Sequence, residues 1–277
     1  MLNKFYIEDF IKQALMEDIG FEDITTENLA EENDFLKAEL NTRTDGILCG
    51  CQVFEQVFKI LSDKIEVKFY FKDGDKIKKG DKIADIKGPA KELLIGERLS
   101  LNFIQRMSGI ATETKKYQDA IKPYHAKIAD TRKTTPNFRI FEKYAVKIGG
   151  GILHRFNLSD CAMIKDNHIK LAGSITNAVT KLRNSISFTH KIEVECDTFE
   201  QVKEAVEVGA DIIMLDNMDL AAMKKSVEYI ANRAIVEASG NVNLDTINSI
   251  AACQVDIISS SAIVAKAPTL DLALDIK

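Results

Sequence analysis

Residues 192–216, IEVECDTFEQVKEAVEVGADIIMLD, decide the fold. Short apolar runs at Ile192–Val194 and Ile212–Leu215 flank a helix-patterned segment, Phe199–Val208. The same unit recurs on both sides, with runs at Ala126–Ala129, Cys161–Ile164, Ala234–Val236 and Asp256–Ile258. The last four runs lie 20–22 residues apart, with further helical patterns at Leu220–Ile230 and Leu244–Ala251 between them. Nearly continuous apolar strands alternating with helices predict parallel strands covered on both faces. That rhythm suits a β/α barrel or a doubly wound sheet. No Gly-x-Gly-x-x-Gly follows the first strand, which favours the barrel.

Up to about residue 110 the texture is different. Phe5, Phe10, Ala14 and Leu15 stand near helical spacing and predict an amphipathic helix over 4–16. Short β-like pieces follow at Lys37–Leu40, Gly46–Cys51 and Ile65–Phe71, with a turn at Asp73–Asp75. Residues 74–86, GDKIKKGDKIADI, resemble a lipoyl-type hairpin but lack a lysine between methionines, so the segment reads as structural. Lys91–Met107 carries Leu93, Leu94, Leu101 and Ile104 and predicts a helix.

Composition excludes several classes. The chain has 277 residues, 45% hydrophobic and 29% charged, which is ordinary for a globular protein. A net charge of −5 argues against a general nucleic-acid or anionic-membrane binder. No apolar run approaches a membrane span, and an acid at residue 8 argues against a secretory signal. Five cysteines, with Cys49 and Cys51 as a lone C-x-C, suggest reduced thiols in the cytoplasm.

The chemistry lies just after the apolar runs. Asp130, Arg132 and Lys133 follow the first, and Lys165, Asp166 and His168 the second. Glu193 and Glu195 share one face of the third, and Asp216 ends the fourth. Ser239, Gly240 and Asn241 follow the fifth, and Ser259–Ser261 the sixth. Polar groups at successive carboxyl ends converge on one mouth of a barrel, where such folds place their sites. Residues 130–170 hold eight basic and four acidic side chains, a local excess of +4 in an acidic chain. Lys143 and Lys147, four apart on a helix over 137–148, are expected on its solvated face. Arg132, Lys133, Arg155 and Lys165 lie at strand ends or in loops and call for anionic ligands. Gly149–Gly151 reads as a helix stop and tight turn ahead of His154 and Arg155. Small residues after the last strands suit phosphate. Glu195 and Asp216, opposite the cations, suit Mg²⁺, ribose hydroxyls or both.

Nine ordered motifs then resemble the quinolinate phosphoribosyltransferases: ERLSLN at 97–102, SGIAT at 108–112, DTRKT at 130–134, EKYAV at 142–146, GGG at 149–151 with His154 and Arg155, IKDNH at 164–168, EVE at 193–195, LDN at 215–217 and EASG at 237–240. The likeness runs from EDIG at 17–20 to LDLALD at 270–275. It implies an N-terminal α/β sandwich domain over 1–110, an open α/β barrel with parallel strands over 111–266, and a tail over 267–277 that returns to the first domain. It implies transfer of the phosphoribosyl group of phosphoribosyl pyrophosphate to quinolinate with decarboxylation, giving nicotinate mononucleotide for NAD synthesis, with Mg²⁺. It implies a homodimer or larger homo-oligomer with shared sites. Carried over, Arg132, Arg155 and Lys165 would hold the quinolinate carboxylates beside His154, and the partner subunit's Arg98 would complete that cage. Lys133 would serve the pyrophosphate. Glu195 and Asp216 would meet the ribose hydroxyls and Mg²⁺, and Ser239, Gly240, Asn241 and Ser261 the 5′-phosphate. Ser261 stands where the family usually has glycine, and Ala265-Lys266 replaces its usual His-Ser, Lys266 offering a compensating cation. The alternatives are the paralogue associated with molybdenum transport and a degenerate barrel that binds phosphate without chemistry.

Overall fold

The computed structural model describes residues 2–277 and divides the chain into two units. Unit 1 comprises residues up to 113, 140–149 and 267–277; unit 2 comprises 114–139 and 150–266.

Unit 1 is a sheet covered by helices. Its strands are β1 (Phe35–Thr42), β2 (Gly46–Ile47), β3 (Glu66–Phe69), β4 (Lys76–Ile77) and β5 (Lys82–Pro89), with a C-terminal strand, Leu272–Ile276. The antiparallel sheet runs C-terminal strand, β1, β5, β3, and Leu40 of β1 faces Leu274 on one side and Ala84 on the other. Period-2 alternation turns Ala38, Leu40 and Thr42 inward. The helix Cys51–Leu61 lays Val53, Phe54, Val57 and Phe58 in the core, and Leu93, Leu101 and Ile104 of the helix Ala90–Ala120 join it. Each such side chain contributes roughly 1.5–3 kcal/mol when fully buried.

Several expectations for this unit need correction. The first helix, Lys4–Ile19, buries Ile7, Ile11 and Leu15, whereas Phe5 is 81% exposed. Leu15 is buried as expected, and the spacing i, i+4, i+8 joins it to Ile7 and Ile11 and leaves Phe5 outside the stripe. Segment 74–86 is no hairpin: β4 pairs with β2, and β5 belongs to the larger sheet. The expected strand over 46–51 stops at Ile47, because Gly50 caps a helix. Asp73, read as a turn residue, accepts hydrogen bonds from the Gly50 and Cys51 amides at 2.9 and 3.0 Å and so caps that helix from a distance. On the helix Arg139–Ile148, Lys147 is exposed but Lys143 is buried, as are Phe141, Glu142, Ala145 and Val146. Within unit 1 the Phe141 ring packs edge-on against Phe10 and Phe103, and Glu142 pairs with Arg106 at 2.9 Å. This helix therefore buries most of its circumference instead of one stripe.

Unit 2 holds β6 (Lys127–Ala129), β7 (Ala162–Ile164), β8 (Ile192–Cys196), β9 (Ile212–Asp216), β10 (Ile235–Ser239) and β11 (Ile257–Ser259). All are parallel, in the order β6-β11-β10-β9-β8-β7. The first two strands in sequence thus occupy opposite edges, and an isolated parallel bridge from Ala129 to Ile152 adds to the β6 edge. The sheet curls far enough for His154 to reach both β8 and β10 across its interior, the geometry of an open barrel. The helix Phe199–Glu207 shows how local sequence builds the wall. Thr198 and Gln201 form a capping box, and Val202, Ala205 and Val206 are its buried face. All five cysteines are free. Among the described residues, no helix is long and apolar enough to cross a membrane.

Candidate active site

The carboxyl ends of the unit 2 strands surround a cavity of about 420 Å³. Of the expected residues it brings together Arg132, Lys133, His154, Arg155, Lys165, Glu195, Asp216 and Ser239. Gly240 and Asn241 sit in the next loop and Ser261 precedes the short helix Ala262–Ala265; none of the three lines the cavity. Lys266 is exposed at the end of that helix. Arg98 lies exposed on the helix Ala90–Ala120 of unit 1. Ser259, expected among the strand-end serines, also lines the cavity, as do Thr131, Met163 and Met214, which were missed. Met214 lies two residues before Asp216, so strand alternation alone could have found it.

The cationic side is held apart from acids. Among the described residues, Arg132, Lys133 and Arg155 have no carboxylate partner within 4 Å. The Arg132 Nε is buried without any hydrogen-bond partner. Burial, then the positive charges of Arg155 and Arg139, push its guanidinium pKa below the ordinary value. A guanidinium stays protonated regardless, so this side stores repulsion that an anion would relieve. Arg155 instead donates to the Cys161 carbonyl at 3.1 Å and to the Met163 sulfur at 3.3 Å.

The acidic side is built on neighbouring strands, with Glu195 on β8 and Asp216 on β9. Lys165, at the end of β7, pairs with Glu195 Oε2. Asp216 Oδ2 accepts from Asn217 Nδ2 at 2.7 Å. Two carboxylates among hydroxyl-bearing neighbours form an all-oxygen donor set, which fits a hydrated Mg²⁺.

Beneath the mouth, His154 Nε2 stands 3.3 Å from Glu193 Oε2 and 3.5 Å from Glu237 Oε2, both glutamates fully buried. Its backbone amide donates to buried Asp130 at 2.8 Å. The Arg155 amide points at Nδ1 from 2.7 Å, which favours the neutral tautomer protonated on Nε2. Burial also opposes charge on the ring. Hydrogen bonds and negative charge from Glu193 and Glu237 outweigh both and raise the pKa to about 10. Nε2 carries a proton in either form and aims it at the two carboxylates, so it has no lone pair for a metal. These three ligand atoms lie within 4.8 Å of one another, yet they form a structural ion cluster. Burial, relieved in part by His154, raises the Glu193 pKa.

Comparisons with known proteins cover the whole chain. The quinolinate phosphoribosyl transferase N-terminal domain matches residues 23–108 and the C-terminal domain residues 110–275. A probable nicotinate-nucleotide pyrophosphorylase [carboxylating] of Methanothermobacter thermautotrophicus is 41% identical, over 97% of this chain and 98% of its own. A mitochondrial quinolinate phosphoribosyltransferase [decarboxylating] of Nicotiana tabacum is 40% identical over 98% of this chain and 82% of its own. The crystal structure of NadC from Streptococcus pyogenes superposes with a TM-score of 0.97 at 40% identity, covering 100% of this chain and 98% of that one. With both domains matched and relatives aligned end to end, the chain belongs to the quinolinate phosphoribosyl transferase family.

Proposed function

We infer that this chain is a decarboxylating quinolinate phosphoribosyltransferase. It moves the phosphoribosyl group of phosphoribosyl pyrophosphate to quinolinate and yields nicotinate mononucleotide, pyrophosphate and CO₂. The observation that carries the reading is the cationic wall of Arg132, Lys133 and Arg155, which among the described residues has no carboxylate partner, lining one cavity with Glu195 and Asp216.

The chemistry suits that division. A pyridine nitrogen with a free lone pair needs no base to attack the ribose carbon. Departure of pyrophosphate builds positive charge there, which Glu195 and Asp216 stabilise. Arg132 and Arg155 hold the two quinolinate carboxylates, a role for which paired guanidinium N–H donors are suited. Lys133 serves the pyrophosphate. Lys165 is held by Glu195 and passes to a substrate carboxylate when one arrives, leaving Glu195 free for the ribose. Mg²⁺ held by Glu195 and Asp216 would add electrostatic stabilisation to the leaving pyrophosphate. After transfer the ring nitrogen is positive. The bond from the adjacent ring carbon to its carboxylate breaks, its electron pair stays on that carbon and takes up a proton, and CO₂ departs. The protein's share is placement and charge. Ser239, Gly240, Asn241 and Ser261 serve the 5′-phosphate. The exposed position of Arg98 suits a homo-oligomer in the cytoplasm, in which the partner subunit's Arg98 completes each site.

The decisive assay incubates the purified chain with quinolinate, phosphoribosyl pyrophosphate and Mg²⁺. The expected products are nicotinate mononucleotide and pyrophosphate in equal amounts. No product at stoichiometric enzyme overturns the reading.

A further inference from the structure

Asp216 and the loop after β10 are separated in sequence by more than twenty residues, yet one side chain joins them. Asn217 has φ of +53°, in the left-handed region, and its amide donates to the Ser239 carbonyl at 3.0 Å. Its side-chain Nδ2 donates to Asp216 Oδ2 at 2.7 Å, and its Oδ1 accepts from Asn241 Nδ2 at 3.1 Å. Gly240, at φ of +93°, makes the approach possible. A Cβ there would lie 2.2 Å from Asn217 Oδ1 and 2.9 Å from its backbone nitrogen. Any other residue at 240 would force the two loops apart.

The residue type suits the task. Asparagine tolerates the left-handed region and offers both a donor and an acceptor on one short arm. Aspartate would offer acceptors only and set a second negative charge beside Asp216. Glycine would keep the backbone and remove both side-chain links.

We propose that Asn217 is a positioning residue that fixes the carboxylate of Asp216 relative to the 239–241 loop, so that the ribose and the 5′-phosphate of one substrate are held at a set spacing. The inference rests on the function proposed above. With Oδ2 tied to Asn217, Oδ1 of Asp216 is the oxygen left for the ligand. Among the described residues the Asn241 side chain meets no other side-chain acceptor and acts through Asn217, so that only its backbone is left to serve the 5′-phosphate.

The test compares Asn217→Gly, Asn241→Gly and the double variant. Both positions have positive φ, so glycine adds no strain and removes only side-chain links. The KM for phosphoribosyl pyrophosphate should rise about tenfold in Asn217→Gly, the loss expected of one or two hydrogen bonds, while the KM for quinolinate stays within twofold. The double variant should be no worse than Asn217→Gly, because the two residues form one chain. Equal shifts in both KM values, an unchanged KM for phosphoribosyl pyrophosphate, or effects that multiply in the double variant would overturn the coupling alone. Failure of the wild-type chain to form nicotinate mononucleotide overturns the function and this inference together.

Discussion

The two ends of the unit 2 strands contrast sharply. At the carboxyl end, Arg132, Lys133 and Arg155 face a cavity without carboxylate partners. At the amino end there is a larger hollow, about 760 Å³, bordered by His125, Asp211 and Asp256. Those acids are already engaged. Asp211 pairs with Arg183 at 2.5 Å and accepts the Ile192 amide at 2.7 Å. Asp256 faces His125 at 3.3 Å and accepts the Val236 amide at 2.8 Å. The acids at the amino end hold strands β8 and β10 in place, whereas at the carboxyl end a buried guanidinium nitrogen of Arg132 is left without an acceptor. Cavity size therefore misleads here, and the buried unsatisfied donor marks the working end.

Three substitutions probe this contrast. Arg132→Ala should raise the KM for quinolinate roughly 100-fold, about what two charge-assisted hydrogen bonds supply. Its melting temperature should hold or rise, since removal relieves repulsion with Arg155 and Arg139. A fall of several degrees with unchanged KM would show that Arg132 is structural.

Asp211→Ala should do the reverse. It strands the Ile192 amide and removes the ion pair with Arg183, at a cost of about 1–3 kcal/mol, or several degrees of melting temperature. Both KM values should stay within twofold, and a selective kinetic defect would erase the contrast between the ends.

His154 lies between the two regimes, and its contribution is read in the pH dependence of stability. Its pKa in the fold, about 10, exceeds the ordinary 6.5. The stabilisation from its charge is thus complete below the unfolded value and is lost as pH rises toward 10. Melting of the wild-type chain between pH 7 and 10 should fall more steeply than that of His154→Gln. Parallel curves would mean that the ring is neutral throughout.

The barrel strands were legible because each is a short apolar run at a regular spacing, and burial on both faces leaves little else such runs can be. Glu195 and Asp216 were legible as strand-end acids for the same reason. Unit 1 was read less well. Leu15 was read in the buried stripe of the first helix, but so was Phe5, which is exposed while Ile7 and Ile11 complete the stripe. The helix Cys51–Leu61 has its cap supplied by Asp73, more than twenty residues away, which no local pattern records. Lys143 looked like a solvated lysine because helical periodicity predicts one buried stripe, and this helix buries more.

By itself, then, the sequence determined the parallel α/β architecture, the set of strand ends that carry charge and the excess of cations over 130–170, since these follow from periodicity and residue type. Tertiary structure alone decided which of those charges are used up. Lys165 is tied to Glu195, His154 is turned inward to Glu193 and Glu237, Asp216 is joined through Asn217 to the 239–241 loop, and Arg132 is left without an acceptor. The reason is physical: hydrogen bonds and ion pairs act over about 3–4 Å, and only strand pairing and, for His154, the curl of the sheet bring residues so far apart in the chain within that range.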